Sequence, residues 1–189
     1  MRKALAITTL VILLSAGAIA GPACHPSQAS DLRLAREVLV FWNDLGRKLV
    51  EMAEDFPEER YGYRPTPEAR GFAEILHHVA EENYVYLQTA RGERVDRDAL
   101  SRRKLGTRTE LTGFLKESFD QGGALVANTT DAQMLEQVTT PYGKRLTRMA
   151  FWLELVQHAA EHYGNLVTYY RLTGMIPPET RRARPAPRP

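Results

Sequence analysis

The segment His158-Ala159-Ala160-Glu161-His162 sets two imidazoles four residues apart. On a helix this spacing brings both side chains to one face, one turn apart, which is how a single element offers two nitrogen ligands to one metal ion. On a helical wheel with His158 at the origin, Phe151 and Tyr169 fall at about 20°, His162 at about 40° and Leu155 at about 60°. Both histidines therefore face inward with apolar residues. A buried polar group without a partner costs about 1–3 kcal/mol, so the pair requires either a metal or hydrogen-bonding neighbours such as Tyr169 or a carboxylate on a facing helix.

A third imidazole would favour the metal. The other histidines of the folded part, His77 and His78, fall on one predicted helix, and metal sites in bundles are assembled from facing helices. Each lies about 130° from the centre of that helix's apolar stripe, on opposite flanks. His77 shares its side with Ala73, Glu81 and Tyr84, and His78 shares its side with Glu74, Ile75 and Glu82. The carboxylates near His78 suit it better for support, but periodicity leaves both residues in play.

Three imidazoles from two helices would leave one coordination position open, as in catalytic rather than structural sites. One divalent ion is expected. Zinc is the first choice for neutral imidazoles, with nickel and iron next. Such an ion activates water or binds a thiolate or carbonyl of a small-molecule substrate. Glu74, Glu82 and Glu161 are candidate proton carriers nearby, although charged helical residues are expected first on the solvated face. Asn165 and Tyr169 share the histidine face, Tyr169 chiefly as a core residue. The chain has no phosphate-cradling glycine loop and no serine or cysteine nucleophile motif.

The elements that must position these residues are helical. Four long segments repeat apolar residues every three or four positions and none alternates over a strand's length. The first is expected over 31–55, with Leu34, Val38, Phe41, Trp42, Leu45, Leu49 and Met52 on one stripe and Ser30 or Asp31 as N-cap. A packed, proline-rich loop follows over 57–70. The second helix covers 71–90, with Phe72, Ile75, Leu76, Val79 and Tyr86 inward. Thr107 opens the third through a capping box with Glu110, and its apolar face runs from Leu111 to Val126. The pattern breaks over 128–147, where Thr139-Thr140-Pro141-Tyr142-Gly143 reads as a turn between short extended pieces. The fourth helix covers 147–172 and ends at Thr173-Gly174. The fold class is all-α, an antiparallel four-helix bundle over 31–178.

At 189 residues, 43% hydrophobic and 25% charged, the chain suits one ordinary folded domain. Arg2 and Lys3 precede an apolar run that ends in Ala18-Ile19-Ala20, so 1–20 reads as a signal peptide with a small-x-small cleavage site. The expected product is an exported protein, periplasmic or secreted, with a flexible 21–30 segment. The single cysteine, Cys24, would be the acylated residue of a lipoprotein, but Gly21-Pro22-Ala23 is a poor lipobox. Without lipidation at Cys24, no membrane association is expected after cleavage. Loss of Arg2 and Lys3 leaves 23 basic against 23 acidic residues, and four of those arginines sit in the tail over 181–189. The folded part is therefore mildly acidic, which argues against nucleic acid. Residues 179–189 read as a disordered Pro/Arg tail.

Two blocks resemble the DinB/YfiT-like bundles. One runs from Arg60-Tyr61-Gly62-Tyr63-Arg64-Pro65 through Gly71-Phe72 to His77-His78-Val79-Ala80. The other runs from His158 to His162-Tyr163-Gly164-Asn165 and on to Thr173-Gly174-Met175-Ile176-Pro177-Pro178. The resemblance implies a metal on His78, His158 and His162, with His77 as a flanking residue. It also implies activities ranging over metal-dependent hydrolases, low-molecular-weight thiol transferases and thiol-dependent isomerases. Export disfavours the thiol chemistry, because such thiols are used mainly in the cytoplasm, and turns the expectation toward a hydrolase. The alternative is a non-catalytic metal- or ligand-binding bundle, acting as a dimer through exposed helix faces, with Phe151 or Tyr169 occluding the open position.

Overall fold

The computed structural model describes residues 33–103 and 105–183. The signal peptide, Cys24, the caps expected at Ser30 or Asp31, and residues 184–189 of the tail lie outside the described residues. Four long helices dominate: α1 (Leu34–Asp55), α2 (Phe72–Arg91), α4 (Arg108–Ala127) and α6 (Arg148–Leu172). The short helices α3 (Arg97–Ser101), α5 (Asp131–Met134) and α7 (Pro178–Arg182) lie between and after them. A two-stranded antiparallel hairpin, β1 (Gln137–Thr139) and β2 (Arg145–Thr147), pairs Val138 with Leu146.

Local chemistry sets the helix ends. Thr107 caps α4 by accepting from the Glu110 N–H, and the Glu110 carboxylate accepts in return from the Thr107 N–H. Thr147 caps α6 by accepting from the Ala150 N–H. Gly92 ends α2 at φ 70°, in the left-handed conformation that glycine adopts at little cost. The turn expected around Pro141-Tyr142-Gly143 is the hairpin tip, where the Thr140 hydroxyl accepts from the N–H groups of Tyr142 and Lys144.

The directions of the helices depart from a simple antiparallel order. The Tyr170 hydroxyl near the end of α6 donates to the Met52 carbonyl near the end of α1, and Trp42 meets Trp152 nearer their beginnings, so α1 and α6 run parallel. Asn83 of α2 donates to Ser118 of α4, and Arg91 donates to Gln121, so these two also run parallel. Trp42 of α1 packs on Phe119 of α4, whereas Arg108 at the start of α4 reaches Phe56 just past the end of α1, so that pair is antiparallel. The same holds for α2 and α6, since Tyr169 reaches Arg70 and Tyr86 meets Phe151. The physical reason is connection length: residues 92–107, with α3 among them, return the chain along the bundle before α4 begins.

The core is aromatic, with Trp42, Phe56, Phe72, Phe114, Phe151, Trp152 and Tyr170 fully buried. Phe41, expected on the inward stripe of α1, is 55% exposed, because it sits at the stripe's edge beyond the cover of the neighbouring helices. The tail also differs from expectation at its start. Residues 178–182 are helical, with Pro178 at the first position, and Arg181 and Arg182 pair with Asp55 and Glu51 of α1. These two ion pairs tie the start of the tail back to the bundle.

Candidate metal centre

The seam between α2 and α6 carries the histidines. His77 and His78 occupy opposite flanks of α2, and the bundle assigns each flank a neighbour. The His77 ring lies 5.7 Å from that of Phe114 on α4, whereas the His78 ring lies 5.0 Å from those of both His158 and His162 on α6. His77 thus turns toward α4, its Nε2 buried without a hydrogen-bond partner and its side chain in the wall of a cleft along α2. His78, His158 and His162 come together.

Their Nε2 atoms converge, at 3.2 Å between His78 and His158 and 3.1 Å between His158 and His162. One ligand atom from each of the three lies within 4.8 Å of the others. Two nitrogens bound to one tetrahedral zinc at about 2.0–2.1 Å stand about 3.3 Å apart, so the triad already has near-coordination spacing. The Nδ1 atoms of His158 and His162 are buried without a hydrogen-bond partner. Three neutral rings carry three protons, and with those two Nδ1 atoms unpaired no tautomer assignment satisfies every ring nitrogen. A cation at the point of convergence could accept all three Nε2 lone pairs. The residues therefore fit a divalent metal.

Electrostatics prepares the rings as ligands. Desolvation, followed by the charge of Arg70 and by the other two histidines, holds His78 at about 4. Desolvation, then His158 and Arg70, holds His162 at about 4, and desolvation also lowers His158. All three are neutral near pH 7, as nitrogen ligands must be.

Among the carboxylates considered from sequence, Glu82 differs from expectation. It is 6% exposed, one turn beyond His78, and accepts from the Tyr142 hydroxyl at 2.6 Å and from Arg97 at 2.7 Å. Burial pushes its pKa up, but the hydrogen bonds of Tyr142 and Arg97 outweigh this and leave it below the ordinary carboxylate value. The sequence could not show this burial, because the two partners arrive from the hairpin tip and α3. Glu74 and Glu161 are exposed as expected. Glu74 caps α2 and pairs with Arg64, and Glu161 accepts from Gln157. Asn165 is exposed, whereas Tyr169 is buried and donates to the Arg70 carbonyl at 2.9 Å. Arg70 was not singled out from sequence, since nothing in a loop arginine marks it before the fold brings it near the triad.

An open cleft of 440 Å³ adjoins the site, and its wall includes His78, Arg70 and Arg103. Phe151 packs on Tyr86 and Trp152, so its ring contacts lie within the core.

Comparison with known proteins places this geometry in a family. The DinB superfamily model matches residues 42–166. The chain belongs to the DinB superfamily. It is 21% identical over 126 residues to the uncharacterized protein YjoA of Bacillus subtilis, covering 66% of this chain and 80% of that protein. A DinB-like protein from Bacillus cereus superposes with a TM-score of 0.65 at 14% identity, covering 76% of this chain and 95% of that one. YfiT of Bacillus subtilis, described as a probable metal-dependent hydrolase with an unusual four-helix bundle topology, superposes with a TM-score of 0.60 at 17% identity, over 75% of this chain and 88% of YfiT. These structures share the fold, and the parallel pairing of α1 with α6 and of α2 with α4 is in keeping with an uncommon topology.

Proposed function

We propose that this DinB-superfamily protein is a metal-dependent hydrolase that acts on a small molecule, with His78, His158 and His162 as the ligands of one divalent ion, zinc first and nickel or iron next. The observation that carries the reading is the convergence of three neutral Nε2 atoms at 3.1 and 3.2 Å. The description of YfiT supports it at the level of the family. When bound, such an ion supplies Lewis acidity at the coordination position that three imidazoles leave open.

The chain's own residues do the rest. α2 and α6 set the imidazoles at near-coordination spacing before a ligand arrives. Glu82, anchored by Tyr142 and Arg97, keeps a carboxylate ionised one turn from His78, and its charge acts on all three histidines. It offsets part of the charge a cation would bring. Export through residues 1–20 belongs to the same proposal and is checked by the N-terminal mass of the protein recovered from its producing cell.

Elemental analysis of purified wild type and His162→Ala tests the metal. One equivalent in wild type and a small fraction of it in the variant is the expected result, and equally little metal in both would overturn the proposal.

A further inference from the structure

The triad has two unlike flanks. Toward the C-terminal end of α2, Glu82 is buried and its oxygens are taken by Tyr142 and Arg97, so that flank is both acidic and closed. On the side of α2 that carries His77 lies a cleft that runs from Arg70 to Glu81 and is walled also by Arg103; of the triad, His78 alone lines it, and at 440 Å³ it has the size of a small-molecule site.

The charges in that wall are unequally engaged. Glu74 is committed to Arg64 and to the Gly71 N–H, and Glu81 accepts from the Ser101 hydroxyl. Arg70 and Arg103 form no ion pair with a carboxylate among the described residues, although the Arg70 charge reaches Glu74 and helps to lower its pKa. Both are placed by other means. The Arg70 carbonyl is pinned by the Tyr169 hydroxyl, and the Arg103 guanidinium stands 4.3 Å from the centre of the Phe114 ring. A guanidinium whose N–H groups are not taken by a carboxylate offers a planar fork of donors matched to a carboxylate or phosphoryl group.

We infer that this cleft binds a small anion on Arg70, with Arg103 as a second cation, so that the substrate is an anionic small molecule whose charged end lies on the Arg70 side of His78. As a statement about substrate it rests on the proposed metal reading. The anion contact itself requires only the two arginines.

The test is calorimetric titration of the full chain with glutarate, with inorganic phosphate and with neutral glutaramide, the zinc content of each sample being measured in parallel. Glutarate or phosphate is expected to bind and glutaramide is not, and the tighter anion identifies the charged group as carboxylate or phosphoryl. Arg70→Gln should weaken that anion at least about tenfold, the factor carried by one charge-assisted hydrogen bond. Arg70→Lys should retain part of the affinity, and Arg171→Gln, an exposed change on α6, should retain all of it. Zinc content should be the same in every variant, and far-UV circular dichroism checks that each is folded. Wild-type affinity in folded Arg70→Gln, glutaramide binding as tightly as glutarate, or no binding of either anion at millimolar concentration overturns the inference. Anion binding that depends on Arg70 in a protein without zinc upholds the subsite and removes the metal reading. Zinc without anion binding does the reverse.

Discussion

The α1/α4 seam and the α2/α6 seam lie across the bundle from each other and are closed by opposite means. In the first, the Trp42 indole packs 4.9 Å from Phe119, and its Nε1 donates to the Phe119 carbonyl at 2.8 Å. Gly122 lets the ring lie against the α4 backbone, since a Cβ there would stand 2.3 Å from Trp42 Cζ2. Shape is complementary and the polar atom of the indole is satisfied. The second seam places three imidazoles where apolar side chains would pack, with their Nε2 atoms 3.1 and 3.2 Å apart. Three nitrogen donors aimed at one point serve no packing purpose, so the contrast separates a seam closed by shape from one whose geometry fits a ligand.

That contrast can be broken in four ways. The largest effect is expected from Trp42→Ala, which should lower unfolding free energy in denaturant titrations by about 3–5 kcal/mol. The folded fraction should keep its metal stoichiometry, because the indole serves the other seam. Gly122→Ala comes next. Forcing a methyl into the indole costs about 1–3 kcal/mol of overpacking, which the helix propensity gained by alanine only partly offsets, and a lower thermal midpoint is the readout.

His158→Leu should behave in the opposite sense. In metal-free protein it removes a buried unpaired Nδ1 and should leave stability within about 1 kcal/mol of wild type or raise it, while metal uptake is lost. A destabilisation of metal-free protein as large as that of Trp42→Ala would erase the distinction between the seams. The most graded effect is that of pH. His78 and His162 are held at about 4 in the folded protein against about 6.5 when unfolded, so the unfolded chain takes up more protons between those values. Stability of the metal-free protein should therefore be fully present above about pH 6.5 and decline as pH falls toward about 4. A variant with leucine at 78, 158 and 162 should show a shallower decline over that window in chelator-treated samples.

Much of this was legible in the residues. The inward stripes of α2 and α4, the capping box at Thr107 and the end of α6 at Thr173 follow from local rules, and the structure agrees to within a residue or two. Other features depend on what arrives from elsewhere in the chain. Phe41 has the periodicity of a core residue and lacks a neighbour to bury it. Glu82 has the character of a surface residue and is covered by Tyr142 and Arg97. The role of Gly122 is invisible without the indole across from it.

The histidines divide along the same line. Sequence by itself determined that His158 and His162 share a helical face and turn inward, because a period of 3.6 residues is a property of the local backbone. It also placed His77 and His78 on opposite flanks of one helix, and periodicity could go no further. Tertiary structure decided between those flanks by setting α4 against one and α6 against the other, and it aimed three Nε2 atoms at one point. Such convergence depends on the relative placement of two helices 80 residues apart in the chain, and no local rule carries that information.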